Sequence, residues 1–114
     1  MKIKIATDFS RIPEVRYPEE GEVSGNSGQE FRNNILLPKL KESIKNKEKL
    51  EIDLDGTAGL GSSFLEESFG GLIRIDKIAY SDIVSTIVFI SKENPDYIEE
   101  IMEYLNDANE KENN

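Results

Sequence analysis

The sequence predicts an α/β protein with a mainly parallel or mixed sheet, about four strands and three helices. Three observations point there. Two short stretches alternate apolar and polar residues, a β-branched run lies late in the chain, and a helical apolar period follows each of these. The resulting order, strand, helix, strand, helix, strand, helix, is that of crossover-connected parallel strands. With 114 residues there is room for one core, burying about two thirds of the unfolded chain's surface. We read residues 1–105 as the domain and 106–114 as an acidic, frayed tail.

The first strand is Lys2-Ile-Lys-Ile-Ala6, with the two-residue period of a half-buried strand. A polar stretch with Pro13, Pro18, Gly21, Gly25 and Gly28 follows, and Val15-Arg16-Tyr17 within it reads equally as an edge strand or an extended loop. Ser27-Gly-Gln-Glu30 has capping-box spacing and starts a helix. Leu36, Leu37, Leu40 and Ile44 share one face of that helix, whereas Phe31 and Ile35 fall nearly opposite. Pro38 between the two sets predicts a kink.

Leu50, Ile52 and Leu54 mark the second strand, which runs into the glycines 56, 59 and 61. A second capping-box spacing, Ser63-Phe-Leu-Glu66, opens a helix with Leu65, Phe69, Leu72 and Ile73 as its apolar stripe, and Gly70 and Gly71 imply close backbone packing against the sheet or an early helix end. Ile83–Ile90 reads as a central strand buried on both faces. Asn94-Pro95 supplies a cap and first-turn proline for a last helix with Ile98, Ile101, Met102 and Leu105 inward.

Composition narrows the chemistry. The chain has no Cys and no His, so it lacks the usual ligands of zinc, haem and iron–sulfur and the usual groups for thiol or imidazole catalysis. We expect no cofactor and no metal. Its longest apolar stretches fall far short of the roughly 20 residues that span a bilayer, and Met1–Ile5 is a strand pattern rather than a signal segment; the expected location is the cytoplasm. The net charge of -9 is uneven: residues 93–114 hold eight acids against one base, whereas residues 32–49 hold six bases against two acids. A negative whole opposes phosphate, so sequence-specific nucleic-acid binding is disfavoured.

Asp53-Leu-Asp55-Gly56-Thr57 after an apolar strand matches the first motif of haloacid-dehalogenase-type phosphatases, with Asp53 as nucleophile and Asp55 as proton carrier. The mid-chain position and the absence of a downstream Asp-Asp pair weigh against catalysis, and the plainer role is hydrogen bonding in the turn. A calcium loop starting at Asp53 would end on Phe64 where a Glu is needed. Residues 56–63 lack the Gly-Lys-Ser/Thr ending of a P-loop, and 59–64 lack the last glycine of a dinucleotide fingerprint.

Leu50-Glu-Ile-Asp-Leu-Asp, the glycine turn, and the run Ser62-Ser-Phe-Leu-Glu-Glu-Ser-Phe-Gly-Gly-Leu72 resemble the bacterial STAS-like family of small uncharacterised domains. Arg16, Ser27-Gly28, Phe31-Arg32 and Leu36–Leu40 agree with that family's N-terminal pattern. More distantly the chain is similar to STAS domains of anti-sigma-factor antagonists, in which a serine at the corresponding helix start is phosphorylated by a partner ATPase-kinase. The resemblance implies a non-enzymatic regulatory module whose partner is a histidine-kinase-type ATPase or a related signalling protein. It makes Ser63, or Ser62 beside it, the candidate phosphoacceptor, although Gly61 precedes the pair and Phe64 follows it, where the antagonists read Asp-Ser-Ser-Gly.

Asp55, Gly56, Gly59, Gly61, Phe64 and Glu67 are the expected partner-binding residues, and Arg16 and Arg32 the expected anion or partner contacts. A monomer or weak homodimer is expected. Two other readings stand beside this one: an acidic inhibitor or accessory protein of a mobile element acting through residues 93–114, and phosphatase chemistry at Asp53 and Asp55.

Overall fold

The computed structural model describes residues 1–20 and 25–113; Gly21 of the polar stretch and Asn114 of the expected tail lie outside them. Three strands, β1 (Lys2–Lys4), β2 (Leu50–Asp53) and β3 (Ile87–Ile90), form one parallel sheet in the order β1-β2-β3. The register puts Lys2 beside Glu51 and Lys4 beside Asp53, and their charges meet at 3.3 and 3.6 Å on one face. Ile3, Leu50 and Ile52 fill the other face and are fully buried. Alternation thus sets both the pairing and the buried side.

Among the described residues there are five helices: α1 (Ile5–Asp8), α2 (28–46), α3 (62–74), α4 (Tyr80–Thr86) and α5 (Asp96–Glu112). The first strand is shorter than expected because Ile5 and Ala6 turn into α1. Val15 forms an isolated parallel bridge with Ser27 and belongs to no strand of the sheet. Among the described residues the sheet therefore has three strands, against the about four expected.

α2 begins with the expected capping box. Ser27 Oγ accepts from the Glu30 amide at 3.2 Å, and the Glu30 carboxylate accepts from the Ser27 amide at 3.4 Å. The disagreement between its two apolar sets is resolved by a π-turn over Arg32–Leu36, rather than by a kink at Pro38. One extra residue in the turn brings Phe31 and Leu36 onto the same side, and both are fully buried with Leu40. Pro38 follows at the start of the regular segment Leu37–Asn46. The same device recurs in α3, where a π-turn over Glu66–Gly70 aligns Phe64 with Phe69.

The run 83–90 is split: residues up to Thr86 are helical and only Ile87–Ile90 are strand. Ile83 and Ile87 both point inward in this arrangement, while Val84 and Val88 are exposed. β3 is consequently an edge strand, not a central one, and β2 holds the centre. The last helix also departs from expectation. α5 runs to Glu112 with Ala108 buried, and Lys77 Nζ donates to the Glu112 carboxylate at 2.7 Å, so residues 106–112 are helix and not fray. No helix among the described residues is long and apolar enough to cross a membrane.

Candidate functional site

Leaving β2, the chain makes a turn stitched on two sides. Asp53 Oδ1 accepts from the Asp55 amide at 2.9 Å, and the Asp55 carboxylate accepts from the amides of Glu93 and Lys92 at 2.9 and 3.1 Å. Glu93 reciprocates by accepting from the Gly56 amide. Gly56 has φ 92°, where a side chain is strained. Further on, the amides of Ala58 and Gly61 donate to the carbonyls of Arg11 and Pro13 at 2.7 and 3.1 Å, and a Cβ at Gly61 would lie 2.5 Å from the Glu14 carbonyl oxygen. Tyr97 of α5 secures the remaining stretch, its hydroxyl oxygen accepting from the Leu60 amide at 3.1 Å.

This turn delivers Ser62 and Ser63 to the start of α3, and both are exposed. The expected Ser63 cap does not form. Gly61 occupies the N-cap position with extended dihedrals, no side chain accepts from the first-turn amides, and both serines are already helical. The helix begins two residues too early for Ser63 to be its cap. We therefore expect Ser63→Ala to change unfolding free energy by less than about 0.5 kcal/mol, whereas Ser27→Ala, which removes a working cap, should cost about 0.5–2 kcal/mol. Denaturant titration of the two variants compares them directly. Ser62 lies by Tyr104, whose phenol is shifted upward first by burial and then by its 2.7 Å hydrogen bond to Glu100, with Ser62 opposing.

Phe64 and Glu67 are not surface residues. Phe64 is fully buried against Phe31 and Phe9, with ring centroids 5.5 and 5.9 Å apart, because the π-turn rotates it onto the core stripe. Glu67 is also fully buried and accepts from Arg32, with Arg16 and Arg74 each at 3.3 Å. Arg32, 2% exposed, also donates to the Glu67 carbonyl at 2.8 Å, and its Nε pairs with Asp76 at 3.0 Å. Burial thus corrects the expected contact roles of Phe64, Glu67 and Arg32.

Arg16 and Arg74 both pair with Glu66. Burial pushes the Glu66 carboxyl up, but hydrogen bonds from Arg74 and Arg16 outweigh it and hold it below the usual glutamate range. The hydrogen bond to Glu66 correspondingly raises Arg16. Three arginines and three carboxylates therefore form one balanced cluster, which anchors the 14–17 loop and α2 to α3. Gly71 makes room for it, since a Cβ there would collide with Arg32 Nη1. This role, rather than packing on the sheet, accounts for that glycine.

Asp53 and Asp55 face structural partners. Asp53 is held by Lys4 and the Asp55 amide, and both Asp55 oxygens are occupied by backbone amides. Among the described residues no three carboxylates converge as metal ligands would. The amide of Glu93, followed by that of Lys92, holds the Asp55 carboxyl below the ordinary aspartate range. A depressed folded-state pKa contributes stability above the unfolded value, lost as pH falls through the folded one. Thermal stability should therefore drop on acidification below about pH 4, and Asp55→Asn should drop less steeply.

Sequence reasoning placed Asp55, Gly56, Gly59, Gly61, Ser62 and Ser63 on one turn, and they are together. It missed Glu93, Tyr97 and Tyr104, which reach the turn and α3 from the distant segment 93–104, and it missed Arg74 and Asp76 as partners of the central charges. Arg74 alone carried a sequence signal, lying about two helical turns beyond Glu66 and Glu67 and so on their side of the helix. A family model described as the STAS-like domain of unknown function (DUF4325) matches residues 27–97. The chain belongs to that family. The α/β fold with its parallel sheet is accordingly the STAS-like one, and the match spans α2, the glycine turn, the twin serines and β3. No curated protein and no solved structure matches the chain.

Proposed function

We propose that this STAS-like domain is a cytoplasmic, non-enzymatic regulatory module that docks a protein partner on the 56–63 turn and the first turn of α3, and is switched by phosphorylation at Ser63 or Ser62. The observation that carries the reading is the exposure of Ser62 and Ser63 beside a turn that Tyr97, Glu93 and the 11–13 backbone hold in place. A hydroxyl free of capping duty is available to a kinase. Glu66 and Glu67, which by sequence would repel a phosphate, are already compensated by Arg16, Arg32 and Arg74. A phosphoryl group adds about -1.5 to -2 charges, enough to expel a docked surface by repulsion and desolvation.

Incubation with candidate histidine-kinase-type ATPases and ATP, followed by pull-down and intact-mass measurement, tests the proposal. Expected are a complex and one added phosphate, lost in the Ser62→Ala, Ser63→Ala double variant. Neither complex nor phosphate rejects the switch.

The acidic-helix reading keeps one favourable observation: Glu99, Glu103 and Glu110 are exposed on α5. Neutralising Glu99, Glu100 and Glu103 would abolish binding by that reading. Phosphatase chemistry is disfavoured by the occupied carboxylates; Mg²⁺-dependent phosphate release abolished by Asp53→Asn would reinstate it.

A further inference from the structure

A second surface lies at the other end of the sheet. The glycine turn follows the C-terminal end of β2, whereas the loop 47–49 and the end of α4 lead into the strands, where Leu50 and Ile87 are paired in register. Lys49 Nζ, donating to the Ser85 carbonyl, ties those two entries together. Beside them the second half of α2 and the 77–82 segment line an open, shallow groove of about 380 Å³. Its floor is Ile44, Ile78 and Ala79, and its rim carries Lys41, Lys45 and Lys77 against a single acid, Asp82. A second cavity shares Ile44 and Asp82 with it and continues toward the strand entries past Lys47, Glu48 and Lys49.

The balance of charge here is opposite to that of the molecule, which stands at -9. Lys77 already serves Glu112, but Lys41 and Lys45 are exposed and form no ion pair among the described residues. They stand one turn apart on α2 and flank Ile44, which is half-buried against the core. Apolar floor and cationic rim together match a helix that presents leucine-like side chains along one stripe and carboxylates beside it. A phosphodiester backbone would satisfy the lysines but leave the floor uncovered.

We propose that this groove is a second docking surface, for an acidic amphipathic segment of a protein partner. The domain is then two-ended, with the serine turn at one end of the strands and a lysine-rimmed groove at the other. The groove does not depend on the serine reading, and a partner could occupy it whatever the phosphorylation state.

The probe is a synthetic helical peptide with leucines at every third or fourth position and glutamates between them, titrated into the isotope-labelled chain. A peptide of the same length with lysine for glutamate, and single-stranded oligothymidylate, serve as competitors. Amide shifts are expected to move at Lys41–Lys45 and Lys77–Asp82 and to stay still at Ser62 and Ser63. Binding should weaken with added salt, and by about tenfold or more in the Lys41→Glu, Lys45→Glu variant. Ala79→Glu, which fills the exposed floor without touching a lysine, should weaken it similarly. The proposal is overturned if the acidic peptide shows no shifts in these segments, if both variants bind it as the parent does, or if oligothymidylate outcompetes it.

Discussion

Arg32→Met is expected to lower unfolding free energy by about 3–5 kcal/mol, the usual cost of leaving a buried charge without its partner. Glu67 is fully buried, and Arg32 supplies its closest cation as well as a hydrogen bond to its carbonyl. Without the guanidinium, Arg16 and Arg74 remain at 3.3 Å, and Asp76 loses its 3.0 Å partner. Domains of this kind have only about 5–15 kcal/mol in total, so the variant should melt about 15 °C or more below the parent. Arg32→Lys should rescue little, because one ammonium cannot span the Glu67 carboxylate, the Glu67 carbonyl and Asp76 at once. Calorimetry and denaturant titration measure both variants. A loss under about 1 kcal/mol for Arg32→Met would show that Arg16 and Arg74 suffice.

Phe64→Ala should cost about 3–5 kcal/mol, the range for emptying a buried aromatic site. Its ring lies within a cluster of Phe9, Phe31 and Phe64, and the Phe9–Phe31 centroids are 5.3 Å apart. Neighbouring helices pinch it closely, since a Cβ on Gly28 of α2 would stand 2.7 Å from the Phe64 carbonyl oxygen. α2 and α3 cannot easily slide together to fill the void. The variant distinguishes core from contact residue. A stable protein with binding alone impaired would return Phe64 to the partner surface, whereas loss of stability and of near-ultraviolet aromatic signal would confirm its place in the core.

Periodicity was a good guide wherever one physical pattern acted alone. The alternation at Lys2–Lys4 and Leu50–Asp53 and the Ser27 capping box stand in the structure; the last helix begins one residue later than expected, at Asp96, with Pro95 rather than Asn94 in the cap position and the Asn94 side chain accepting from the Asp96 amide at 3.2 Å. It failed where two patterns competed. Ile83 and Ile87, four apart and both β-branched, are inward in the observed helix-to-strand join, and a β-branched run carries no mark of where the helix ends. Ser63-Phe-Leu-Glu66 has capping-box spacing, yet Gly61, set beside the Glu14 carbonyl, takes the cap position. The spacing of Phe31 from Leu36 was itself the trace of a π-turn, read as a proline kink because straight-helix arithmetic allows no inserted residue.

The local order of the chain therefore settled the fold class, the glycine turn and the adjacency of the two serines, because each depends on residues near one another and on hydrogen bonds closed within a few positions. Packing settled which charges are internal. Arg16, Arg32, Glu67, Arg74 and Asp76 come from three separate segments, and a charged side chain in a sequence looks the same whether water or another charge will surround it. Once five helices close over a three-stranded sheet, desolvation makes each of those charges dependent on its partners. The same closure leaves Ser62, Ser63, Lys41 and Lys45 outside, facing solvent.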